Sequence, residues 1–110
     1  MLEQHHGSIA GKEAADGPQV YDNNGYEHYP RHQIQVEVSE VPSAGTLKIE
    51  MQQKKGSSWM EIVGSPVDLT ALNHETAKIL TLTAFVGAFR FTPTAAFDKE
   101  YTVFIQSVGL

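Results

Sequence analysis

The chain has no cysteine, so disulfides and thiolate-bound zinc are excluded. That absence also fits a protein made in a reducing cytoplasm. Cations are scarce: eight Lys and Arg stand against thirteen Asp and Glu, for a net charge of −5. Binding a nucleic-acid backbone needs clustered cations, and the one basic pair, Lys54-Lys55, lies in a turn-like stretch. No apolar run approaches the roughly 20 residues that cross a bilayer, and the first residues lack the apolar segment of a signal peptide. The expectation is therefore no membrane and no nucleic-acid partner, in a protein that stays in the cytoplasm or leaves it by lysis. G-x-S-x-G and glycine-rich phosphate loops are also missing. Without a nucleophile motif or a phosphate cradle, no enzyme activity and no cofactor are expected.

What is present divides at residue 31. The segment MLEQHHGSIAGKEAADGPQVYDNNGYEHYPR holds five acids against two bases, no Phe or Trp, and several turn formers. Neither a two-residue nor a 3.6-residue apolar period runs through it. Such a stretch buries too little to offset its ordering entropy, so residues 1–31 read as an extended N-terminal arm. His5-His6 is too short for a purification tag.

From residue 32 the pattern has period two. Ile34, Val36 and Val38 alternate with glutamine and glutamate, and Leu47, Ile49 and Met51 alternate with Lys48, Glu50 and Gln52. Each is a half-buried strand with one wet face. Pro42 and Gly45 mark the turn between them, and KKGSS the next. Trp59 to Val63 reads as a third strand, followed by a loop with one helical turn near Thr70–Asn73. Residues 77–86, apolar on both faces, read as a central strand. Phe89 and Phe91 share a face opposite Arg90; Tyr101, Val103 and Ile105 share one in the closing strand. Six or seven short strands joined by polar turns predict an antiparallel β-sandwich over residues 32–110, of the jelly-roll or immunoglobulin-like kind. Its expected inward residues are Ile34, Val36, Leu47, Ile49, Leu80, Leu82, Phe89, Phe91, Val103 and Ile105. A core of about 80 residues is marginal alone, and with disulfides excluded, oligomerisation is the expected source of extra stability.

Few residues invite a chemical role. His28 and His32 stand four apart, the spacing of a helical metal site, but Pro30 between them disfavours a helix, and no metal is expected there. Tyr21, Tyr26 and Tyr29 crowd into nine residues of otherwise polar sequence. Tyrosine gives large contact area and is enriched at interfaces; the three pack back on their own sandwich, dock on a neighbouring subunit, or belong to a loose tail. Trp59, the only tryptophan, is open to three readings: a core or core-edge residue, a subunit contact, or a platform for a sugar ring.

Gly45–Met51, Trp59, Val67–Thr70, Arg90–Pro93 and Tyr101–Val103 together resemble a pattern in small virion structural proteins of tailed bacteriophages. A polar-ended strand, a Gly/Ser turn, a tryptophan, an R-F-T-P strand and a closing Y-T-V strand follow one another there. The resemblance implies a structural protein of the head, neck or tail, made in the host cytoplasm and carried in the virion. Its partners would be copies of itself and other virion proteins, with Tyr21, Tyr26, Tyr29 and Trp59 as the subunit-interface candidates. The alternative is a carbohydrate-binding β-sandwich module.

Overall fold

A computed structural model of the chain describes residues 3–109. It is an antiparallel β-sandwich. The strands are β1 (Glu3–Lys12), β2 (Gln19–Asp22), β3 (Arg31–Val38), β4 (Thr46–Gln52), β5 (Met60–Glu61), β6 (Val67–Asp68), β7 (Lys78–Thr83), β8 (Ala88–Pro93) and β9 (Tyr101–Gly109). One sheet has the order β1-β9-β3-β7; the other has β2-β8-β4-β5, with β6 also pairing β4. The first and last strands thus lie side by side in one sheet, and the second and the penultimate do so in the other. With β5 and β6 taken as one interrupted strand along β4, this is the wrapping of a jelly roll.

The alternation read in the sequence decides the faces. Ile34 and Val36 on β3 are buried opposite Ile105 and Val103 on β9, while Gln33, Gln35, Phe104 and Gln106 face outward. In the second sheet Leu47 and Ile49 on β4 are buried beside Phe89 and Phe91 on β8. Nine of the ten expected inward residues are buried; Leu82 is half-buried and packs at the border of the core. The helical turn expected near Thr70–Asn73 is a 3-10 turn at Leu69–Ala71, with the Asp68 carboxylate accepting from the Thr70 amide.

Three expectations change. Residues 1–31 are not an arm appended to a sandwich at residue 32. β1 pairs with β9 from Glu3 to Lys12, with one irregularity, and β2 pairs with β8, so each sheet draws an outer strand from this segment. The inward positions of β1 and β2 are filled by His5, Gly7, Ile9 and Tyr21, which make no apolar alternation. The polar turn after β2 is held by Asn23, fully buried, whose side-chain amide donates to the carbonyls of Val86 (2.9 Å) and Tyr26 (3.2 Å). Next, the strand expected in the centre at 77–86 is an edge strand, β7, and its apolar outer residue Ile79 is 52% exposed. Last, the strand expected at Trp59–Val63 shrinks to Met60–Glu61, because the ladder to β4 is interrupted where the Ser65 hydroxyl accepts from the Ile49 amide.

Candidate functional site

The three tyrosines converge on the start of β1. The Tyr21 hydroxyl and His5 Nε2 share a hydrogen bond of 3.0 Å, and the Tyr29 hydroxyl donates to Glu3 at 2.7 Å. His5 stacks on Tyr26 with ring centroids 3.7 Å apart, and Tyr26 meets Tyr29 edge-on at 5.4 Å. Two glycines make room: the Tyr21 ring occupies the place of a side chain at Gly7, and the Tyr29 ring that at Gly109. The acceptor carboxylate of Glu3 pushes the Tyr29 phenol up to about 12, since ionisation would lose the hydrogen bond and set two negative charges together. The structure shows the three packed on their own sandwich and not in a loose tail. Tyr29 is buried there and Tyr21 and Tyr26 are partly covered, so within the chain they clamp β1.

Trp59 is not in the core. It lies half-exposed on the outer face of the second sheet, where the Arg90 guanidinium sits 4.5 Å from its ring centre. Arg90 also donates from Nε to Glu50 Oε1 (3.0 Å), its Nη2 lies 2.9 Å from the same oxygen as an ion pair, and Lys48 Nζ lies 3.7 Å from the other carboxylate oxygen. The Glu50 side chain is only 9% exposed. Glu50 and Arg90 are direct cross-strand partners of β4 and β8, an opposite-charge pair on a wet face. With one ring face under a cation, Trp59 offers at most its other face as a platform. Replacing Arg90 by alanine removes the Nε donor and the guanidinium charge from a nearly buried carboxylate, and the cation from the indole. Because Arg90 itself is about a third exposed, the expected loss is about 1–3 kcal/mol in urea denaturation, with a red shift of the single tryptophan's emission. Arg90→Lys should recover only part, since lysine has no fork to offer.

The two histidines considered for a metal point into different surroundings. His28 is exposed and meets the Tyr29 ring edge-on, whereas His32 is buried on the inner face of β3. His32 Nε2 lies 2.9 Å from the Ala84 carbonyl, which can only accept, so that nitrogen carries the proton. Nδ1 then accepts from the Ser107 hydroxyl at 2.8 Å. Burial holds its pKa below the ordinary value. The unfolded chain therefore binds a proton near pH 6.5 that the folded chain refuses. The stabilising contribution of neutral His32 is complete above about pH 6.5 and falls as the pH drops below it, by at most about 1.4 kcal/mol per pH unit. Subtracting the stability profile of His32→Gln from that of the parent chain should isolate this slope between pH 4 and 7.

Among the described residues no group of three or more His, Cys, Asp and Glu side chains is placed to hold a metal ion. A cavity of about 450 Å³ lies between Glu13, Ser39, Phe97 and Asp98 at one end of the sandwich. Its Asp98 carboxylate accepts from the Ser43 hydroxyl (2.6 Å) and amide (2.9 Å), and these bonds hold its pKa below the usual range. Asp98 thus anchors the turn before β4. A smaller cavity of about 190 Å³ on the outer face of the first sheet is lined by His6, Gln33, Gln35, Phe104 and Gln106.

No family model matches the sequence, and no curated protein matches it. Among solved structures the fold is similar to that of the SPBc2 prophage-derived protein YomS: 12% identity, TM-score 0.62, covering 99% of this chain and 96% of that one. It is also similar to a structure of Bacillus endospore appendages, described as a family of disulfide-linked pili: 13% identity, TM-score 0.55, covering 97% of this chain and 85% of that one. At such identities the likeness is one of fold.

Proposed function

We propose that the chain is a structural subunit of a bacteriophage particle, in the head, neck or tail, working through contacts with copies of itself and with other virion proteins. The observation that carries this reading is the jelly roll together with how its polar groups are used. Of the buried or half-buried titratable groups, Glu50, His32, Tyr21 and Tyr29 are tied into hydrogen bonds within the chain, and Tyr101 is sealed in the core with its hydroxyl unpartnered; this supports a role for surfaces rather than for a reaction centre. The sequence resemblance to small virion proteins points the same way. So does the likeness of fold to a protein of prophage origin. The appendage protein of similar fold is described as disulfide-linked; this chain has no cysteine, so its own assembly would do without disulfides.

The test is the mass in solution. Light scattering across a range of micromolar concentrations should give a mass well above the 12.1 kDa of one chain, with regular particles or oligomers in negative-stain micrographs. A monomer at every concentration overturns the reading. The cavity around Phe104 favours a second reading, a glycan-binding module, because an aromatic ring 46% exposed lies among glutamine amides. A monomer that binds members of a glycan array, and loses them on Phe104→Ala, would select it.

A further inference from the structure

The first sheet ends at β7, and among the described residues no strand pairs with its outer edge. The phase of its ladder is fixed by the Ala84 amide, which donates to the Pro30 carbonyl at 2.8 Å. The same antiparallel register sets Leu82 opposite His32 and Leu80 opposite Ile34. Hydrogen-bonded pairs alternate along such a ladder, so the even residues of β7 bond to β3. The N–H and C=O groups of Ile79, Thr81 and Thr83 therefore point away from the sheet.

Natural proteins protect an open edge by shortness, charge, proline or a bulge, and the other edges here follow that rule. β2 has four residues, and β5 and β6 have two each. β1 carries Glu3, His5 and His6 and breaks register between Ile9 and Lys12. From Ile79 to Thr83, β7 has no charge, proline or glycine, and its pairing to β3 runs without a break. Ile79 is 52% exposed and Leu82 half-exposed at the rim of the core.

We propose that β7 is a self-pairing edge: a second copy of this chain adds its own β7 antiparallel, about a two-fold axis at Thr81, so that two four-stranded sheets become one. Directly opposed residues in an antiparallel pair lie on the same face, which restricts the register. With Thr81 opposite Thr81, Ile79 meets Thr83 on the outer face and Leu80 meets Leu82 on the inner. All three outward N–H and C=O sets are then engaged. The half-exposed Leu82 receives the partner's Leu80 and the two cores become continuous. An axis at Leu80 would instead oppose Lys78 and Leu82. Two-fold pairing brings like toward like, so a charged edge would meet its own charge, while this neutral one pairs Thr with Thr, a favourable cross-strand pair. The inference rests on the assembly reading and names one contact of it.

The experiment uses the whole chain. Thr81→Pro deletes an outward N–H without removing a bond to β3. The parent should be at least dimeric by light scattering, and Thr81→Pro should show a mass at least twofold lower with an unchanged far-UV circular dichroism spectrum. Should the proline variant not fold, Thr81→Cys decides: in a chain without cysteine it supplies a single thiol. A short bismaleimide should convert it to a covalent dimer, and should leave Ala10→Cys, on the opposite edge, monomeric. Equal masses for the parent and a folded Thr81→Pro, or equal cross-linking at the two positions, overturn the self-pairing edge while the assembly reading stands. A monomeric parent at every concentration overturns both.

Discussion

Deleting residues 1–31 is expected to abolish folding, not merely assembly. The remaining chain would lack β1 and β2, leaving β9 open along the edge that β1 covers and β8 open along the edge that β2 covers. The β1–β9 ladder registers from Glu3 opposite Gly109 to Lys12 opposite Tyr101. The buried side chains of Ile9 and Tyr29 would go, and so would the half-buried Tyr21. Burial of a side chain of this size contributes about 1.5–3 kcal/mol, and each cross-strand pair about 0.2–1 kcal/mol. Summed, these losses match the roughly 5–15 kcal/mol that a domain has in total. The 32–110 fragment should show no cooperative thermal transition by circular dichroism. A melt close to that of the whole chain would mean that the two sheets stand without their outer strands, and that the first 31 residues are an accessory after all.

The reason this segment reads as an arm is local. A strand shows in sequence only when its inward positions are apolar. On β1 those positions are His5, Gly7 and Ile9, and one of them is glycine because the Tyr21 ring lies where a side chain would stand. The tyrosines carried the missing information: three aromatic residues in a polar stretch signal burial, without saying against what. In contrast β3, β4, β8 and β9 are legible because most of their inward residues are Ile, Val, Leu, Phe and Tyr in alternation, with His32 and Ser107 as buried polar exceptions. Apolar residues on both faces of 77–86 pointed to a central strand, yet β7 lies at an edge with Ile79 in solvent. Strand order depends on pairings between residues far apart in the chain, so neither this nor the jelly-roll wrapping could be read from periodicity. Trp59 was conspicuous, but its setting was not. Glu50 and Arg90 sit at outward parity on their strands, and only the β4–β8 register reveals that they face each other beneath the indole.

Phe89→Ala is expected to be the most damaging single truncation, costing about 3–5 kcal/mol. Phe89 is fully buried on β8, opposite Tyr21 on one side and Met51 on the other. Its ring meets His32 edge-on at 5.5 Å across the sandwich and lies 6.2 Å from Phe91. The cavity left by alanine would therefore touch both sheets at once, and β strands pinned on both sides by their ladders cannot close around it. Leu82→Ala sets the scale: Leu82 is half-buried at the rim of the core, so its loss falls toward the lower end of the 2–5 kcal/mol found for buried leucines, or below it. The two variants should also separate in their dependence on protein concentration. A partner that binds only the folded state raises the apparent stability by mass action. If β7 pairs with a second copy, Leu82→Ala weakens that contact and should flatten the rise of the urea midpoint with concentration. Phe89→Ala, which lies on the other sheet and not on the edge strand, should lower the midpoint by the same amount at every concentration. Equal losses for the two variants, with parallel concentration curves, would contradict both the burial difference between them and the position of Leu82 at a shared edge.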